Sequence, residues 1–129
     1  MNRPKQHVVI IAGESSGDLH GAHLMHYIKQ QNSKVVFSGL GGIKMEQEGF
    51  QSLVPITKLA IMGFWEVLKN IVFFINLERL VLTHIQNKQP DKIILIDYPG
   101  FNLRLAQKIK KISKTKIIYY ISPQLWAWK

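Results

Sequence analysis

Asp97 closes the apolar run Ile93 to Ile96 in the stretch IDYPGFNLRL, and Tyr98, Pro99, Gly100 and Phe101 follow it at once. An acid so placed either accepts hydrogen bonds from nearby backbone N–H groups, as loop acids commonly do, or faces a ligand. A second group of polar residues lies in AGESSGDLHGA, from Ala12 to Ala22. Its glycines, its hydroxyls at Ser15 and Ser16 and a free helix N-terminus can hold an anion or a sugar. The stretch is not G-x-G-x-x-G and has no P-loop lysine, so a nucleotide fingerprint is absent. A third group is His20, His23 and His26, the last two about one helical turn apart. A metal pair would need a carboxylate or cysteine in register, and without one these read as helix-surface or capping histidines. The chain has no cysteine, which removes disulfides, thiolate catalysis and zinc–thiolate sites.

The elements that would position these groups follow from the apolar pattern. Strand-like runs recur at 7–12, 34–39, 52–54, 92–96 and 116–121. Helical spacing is expected over 19–31, 44–48, 65–70, 75–87 and 101–113, with Asp18 a natural N-cap for the first helix and Pro90 closing the fourth. Strands alternating with helices mark an α/β fold with a doubly wound, mostly parallel, Rossmann-like sheet. In such sheets ligands bind beyond the carboxyl ends of the strands, where both Asp97 and the loop at 12–18 are expected.

A chain of 129 residues can bury one core, and 47% hydrophobic with 19% charged residues is a globular composition. Its longest apolar runs are too short to span a bilayer, and no basic region followed by an apolar stretch opens the chain, so a cytoplasmic location is expected. The net charge of +9 favours an anionic partner. The densest lysine cluster, Lys108, Lys110, Lys111, Lys114 and Lys116, suits a solvated helix face or an anionic membrane surface. It lacks arginine and interleaved aromatics, so no nucleic-acid partner is expected. Between Leu59 and Leu77 apolar residues nearly surround the helix, which reads as a buried helix or hairpin, or as an exposed patch with Trp65, Phe73 and Phe74 at an acyl or membrane surface. The closing SPQLWAWK sets two tryptophans beside a proline and a glutamine, as in the lining of a cleft.

Taken together, AGESSGD at 12–18, GLGGIKMEQEGF at 39–50, LAIMGFWEVL at 59–68, PDKIILIDYPGFNLRLA at 90–106 and YYISPQLWAW at 119–128 resemble the lipid-A-disaccharide synthase family of GT-B glycosyltransferases. The pieces stand in the family's order and spacing. Ser15 departs from the small apolar residue expected there. The family continues through a second Rossmann-like domain, so the resemblance implies that residues 1–129 are an incomplete N-terminal, acceptor-binding domain without the C-terminal domain that holds UDP.

The resemblance further implies transfer of 2,3-diacylglucosamine from its UDP carrier to 2,3-diacylglucosamine 1-phosphate, at the cytoplasmic face of an inner membrane, with no metal ion or cofactor. A sugar hydroxyl attacking an anomeric carbon must lose its proton, and Asp97 is the candidate general base, with Glu14 the runner-up. Substrate contacts are implied for Ser16, Gly17, Asp18, Met62, Gly63, Trp65, Glu66, Asn102, Ser122, Gln124 and Trp126. Two other readings stay open: another sugar-nucleotide enzyme of similar fold, or a non-catalytic basic module that associates with anionic membranes.

Overall fold

The computed structural model describes residues 5–12, 15–54, 71–97 and 99–120. Its elements run β1 (Gln6–Ala12), α1 (Ser15–Gln31), β2 (Val35–Leu40), α2 (Ile43–Gln47), β3 (Gln51–Ser52), α3 (Ile71–Lys88), β4 (Lys92–Ile96), α4 (Pro99–Ile112) and β5 (Lys116–Tyr120). The strands form one five-stranded sheet in the order β3-β2-β1-β4-β5. Every pairing is parallel, so the sheet is wholly parallel among the described residues.

Alternation along the central strands divides the core in two. Val8, Ile10 and Ala12 of β1, with Ile94 and Ile96 of β4, face Ala22 and Met25 of α1 and Met45 of α2. Val9 and Ile11, with Ile93 and Leu95, face Leu77, Val81 and Ile85 of α3 and Phe101, Leu105 and Ile109 of α4. Strands buried on both faces read as continuous apolar runs, which is why HVVIIA and KIILI show no polar alternation. The α3 and α4 contacts recur every four residues, one stripe per helix.

The helices extend further than their apolar stripes suggest. α1 begins at Ser15, ahead of the expected Leu19, so Asp18 lies within its first turn instead of capping it. α3 begins at Ile71, four residues before the expected Ile75, and ends where Gln89 adopts a left-handed φ of 45° ahead of Pro90. Phe73 and Phe74 do not form an exposed patch: both pack against the α3–α4 core, and Phe74 meets Phe101 edge-on with centroids 4.7 Å apart. The helix expected at 65–70, and Trp65 with it, lies outside the described residues.

Candidate active site

Strand order reverses between β1 and β4, whose last residues Ala12 and Ile96 are register partners. The helices that follow these strands, α1 and α4, pack on opposite faces of the sheet. The carboxyl edge at such a switch point is the usual ligand position in open α/β sheets. Asp97 is the first residue beyond β4, at that edge.

Asp97 is 9% exposed and has a left-handed φ of 49°, a conformation that aspartate tolerates better than most residues. Its N–H donates to the Tyr120 carbonyl at 2.8 Å, one step beyond the regular β4–β5 ladder. Its carbonyl accepts from Asn102 Nδ2 and from the Tyr119 hydroxyl, each at 2.8 Å. Both backbone polar groups of Asp97 are thus fixed within the fold. Burial, and next the nearby Asp97 carboxylate, raise the Tyr119 hydroxyl above the ordinary phenol range, so it remains a donor.

Asn102 is fully buried in the first part of α4 and donates to the carbonyls of Ile96 at 3.2 Å and Asp97 at 2.8 Å. The side chain expected to contact substrate instead clamps the strand-to-helix turn from beneath. Its Oδ1 is buried and finds no hydrogen-bond partner among the described residues.

Of the residues expected from AGESSGD, Ser16 is exposed in the first turn of α1. Gly17 is buried against β1 and β4, where an added Cβ would touch Ala12 Cβ at 3.4 Å and Ile96 Cγ2 at 3.7 Å. The Asp18 carboxylate accepts from the N–H groups of Gly42 at 3.0 Å, Lys44 at 3.0 Å and Met45 at 2.9 Å. It therefore satisfies the otherwise orphaned donors at the start of α2. Gly42 is required by this contact, because a Cβ there would lie 2.4 Å from Asp18 Cγ. Two separate glycine-rich stretches thus form one structural joint. Glu14, Met62, Gly63, Trp65, Glu66, Ser122, Gln124 and Trp126 lie outside the described residues.

Two polar clusters, each built around one buried side chain, were not anticipated from the sequence. Ser38 Oγ lies 2.6 Å from His7 Nε2 and 2.7 Å from His84 Nε2 beneath α3. Glu78, 2% exposed, joins α3 to α4 through Arg104 at 3.2 Å and Lys108. Lys108 is accordingly engaged in an ion pair, whereas the lysine cluster had suggested a wholly solvated face. His26 pairs with Glu48 at 3.5 Å, and among the described residues no group of three or more His, Asp or Glu could hold a metal ion.

Comparison with known proteins matches residues 8–129 to the family described as lipid-A-disaccharide synthetase. This chain belongs to the lipid-A-disaccharide synthetase family. It is 43% identical to the lipid-A-disaccharide synthase of Trichlorobacter lovleyi, over 100% of this chain and 33% of that protein. It is also 43% identical to lipid-A-disaccharide synthase 1 of Legionella pneumophila strain Paris, over 95% of this chain and 32% of that protein. The relative from Nitrosococcus oceani is 42% identical over 95% of the chain. The chain spans about a third of the length of these curated relatives. In this member of the synthetase family the described Rossmann-like sheet carries Asp97 at its switch point.

Proposed function

We propose that this chain supplies the acceptor side of a lipid-A-disaccharide synthase. The reaction is transfer of 2,3-diacylglucosamine from UDP-2,3-diacylglucosamine to the 6-hydroxyl of 2,3-diacylglucosamine 1-phosphate, giving the β(1→6) disaccharide phosphate and UDP. The observation that carries this reading is Asp97, held by its backbone at the switch point of a sheet whose chain belongs to that family.

The chemistry assigns Asp97 one task. As the acceptor hydroxyl attacks the anomeric carbon, its O–H proton passes to the Asp97 carboxylate while the anomeric C–O bond to the diphosphate breaks and UDP departs. The fixed backbone keeps the carboxylate from drifting as the hydroxyl approaches, which limits the reorganisation needed to reach the transition state. Groups that stabilise the departing diphosphate belong to the UDP-holding domain of the family's two-domain arrangement. Glu14 is the second candidate for the base.

The acceptor carries acyl chains and a phosphate, and the same reading places the protein peripherally on the cytoplasmic face of the inner membrane. Supporting this, Val72 and Ile75 at the start of α3 and Leu103 at the start of α4 are exposed apolar residues, and Arg104 and Lys108 follow on α4. No described helix is long and apolar enough to cross a membrane.

The test joins this chain to the remaining two thirds of the Trichlorobacter lovleyi relative and follows labelled acceptor into disaccharide. Turnover that requires both acylated substrates and is lost in Asp97→Asn supports the proposal. A chimera that ignores the acylated acceptor but turns over another UDP-sugar refutes it. The exposed apolar and basic residues also favour a second reading, a non-catalytic module for anionic membranes. Vesicle binding indifferent to added acceptor, with no turnover in the chimera, supports that module instead.

A further inference from the structure

We propose that Tyr119 is a positioning residue for Asp97, a role that rests on the reading of Asp97 as the base. Tyr119 and Tyr120 end β5, which stands at one edge of the sheet among the described residues. Both grip Asp97: the Tyr120 carbonyl accepts the Asp97 N–H, and the Tyr119 hydroxyl donates to the Asp97 carbonyl, each at 2.8 Å. The peptide groups on either side of the Asp97 Cα are therefore tied to the same short strand.

A non-glycine residue at φ 49° keeps that conformation only when its surroundings determine it. Asn102 belongs to the same strand–turn–helix unit as Asp97, so its bonds shape the turn without fixing that turn relative to the rest of the sheet. The Tyr119 hydroxyl adds an anchor that is 22 residues away in sequence and independent of the turn. Its half-buried ring already packs with the α3–α4 core, which limits how far the hydroxyl at its tip can swing. Burial and the Asp97 carboxylate keep that hydroxyl protonated across the neutral range. Tyr119 thus acts through the backbone to set where the Asp97 carboxylate stands, and it touches no reacting atom.

The experiment has a spectroscopic arm and a kinetic arm. In the 129-residue chain labelled with carbon-13, the carboxyl resonance of Asp97 is recorded with and without Tyr119→Phe, which removes the hydroxyl and retains the ring. The expected result is a displaced Asp97 carboxyl resonance and local loss of amide protection at Asp97, with the central strands still protected. In the chimera, Tyr119→Phe lowers kcat about 3–10-fold, the effect of one lost hydrogen bond, with KM unchanged. It has no further effect once Asp97 is already Asn. An undisplaced Asp97 resonance in the folded variant overturns the proposal, as does an undiminished kcat. Where the phenylalanine variant fails to fold, the parent chain decides: a slowly exchanging Tyr119 hydroxyl proton coupled to the Asp97 carbonyl carbon is expected, and a freely exchanging hydroxyl overturns the proposal. If Asp97→Asn leaves kcat intact, the reading of Asp97 as base fails, and the Asp97 resonance still settles whether Tyr119 positions it.

Discussion

The side-chain amide of Asn102 donates to the backbone carbonyl of Asp97 at 2.8 Å from a position with no solvent exposure. The same amide holds the Ile96 carbonyl at 3.2 Å, so one side chain satisfies two acceptors where β4 ends. Replacing it by leucine, of similar size, takes this donor from both carbonyls, and the Asp97 carbonyl alone keeps another, the Tyr119 hydroxyl. Asn102→Leu should therefore cost about 1–3 kcal/mol of stability, read as a lower urea midpoint with an unchanged slope. A loss under about 0.5 kcal/mol would mean that water or another donor replaces the amide.

Acid should destabilise the fold through His7 and His84. Burial lowers both from the ordinary value of 6.5; Lys88 adds to the effect at His7, and His7 followed by Lys88 at His84. Asp91, whose carboxylate accepts the backbone N–H of His7 at 2.8 Å, opposes it through its charge at His7. Since the folded state binds these protons more weakly, the unfolded chain carries more of them below 6.5. Stability is then complete above that pH and declines as pH falls toward the lowered folded values. The Ser38 hydroxyl has one proton to share between two Nε2 atoms, so double protonation would leave it without an acceptor. Urea midpoints at about pH 7.5 and about pH 5 should differ, and His84→Gln should reduce the difference. An unaltered difference in that variant would assign the acid sensitivity to other groups.

Asp18→Ala should release the start of α2. Three backbone N–H groups lose their acceptor at once, and the loss should be about 1–2 kcal/mol. Gly42→Ala should disturb the same joint from the other side, because its Cβ overlaps the Asp18 carboxylate. The pair should be non-additive in a double-mutant cycle of thermal midpoints. Strict additivity would show that α2 is not held through this contact.

Glu78→Ala should loosen α3 from α4. The carboxylate is buried, while Arg104 and Lys108 are 53% and 41% exposed and can return to water. The cost should therefore fall below that of stranding a buried charge, at about 1–3 kcal/mol. Hydrogen exchange should rise in both helices more than in β1. Uniform exchange changes across the sheet would argue against a local clasp.

What the sequence disclosed and what it hid divide by range. The position of Asp97 was legible because KIILI is an unbroken apolar strand and Pro99 cannot continue it; the structure starts α4 at Pro99, two residues before the expected Phe101. Strand–helix alternation likewise announced the parallel sheet. Asp18 misled because an acid ahead of an apolar helix resembles its N-cap; Ser15 opens that helix, and the carboxylate caps an element 24 to 27 residues away. The Ser38 contacts span 31 and 46 residues, with no local spacing to mark them. Asn102 looked like a ligand contact in IDYPGFN because a motif reports which residues matter, whereas only the folded turn shows which of them face inward.

The decisive prediction concerns Asp97 itself. Asparagine preserves the size of the side chain and tolerates the left-handed backbone at φ 49°. The backbone bonds from Tyr119, Tyr120 and Asn102 should survive, because none involves the carboxylate. Asp97→Asn should thus fold like the parent and bind acceptor with similar affinity. Without a proton acceptor, turnover of the chimera should fall about 10²–10⁴-fold, the usual range for loss of a general base. Kinetics of labelled acceptor together with an amide spectrum of the variant separate a chemical defect from a folding defect. Full turnover by the folded variant would transfer the role of base to Glu14.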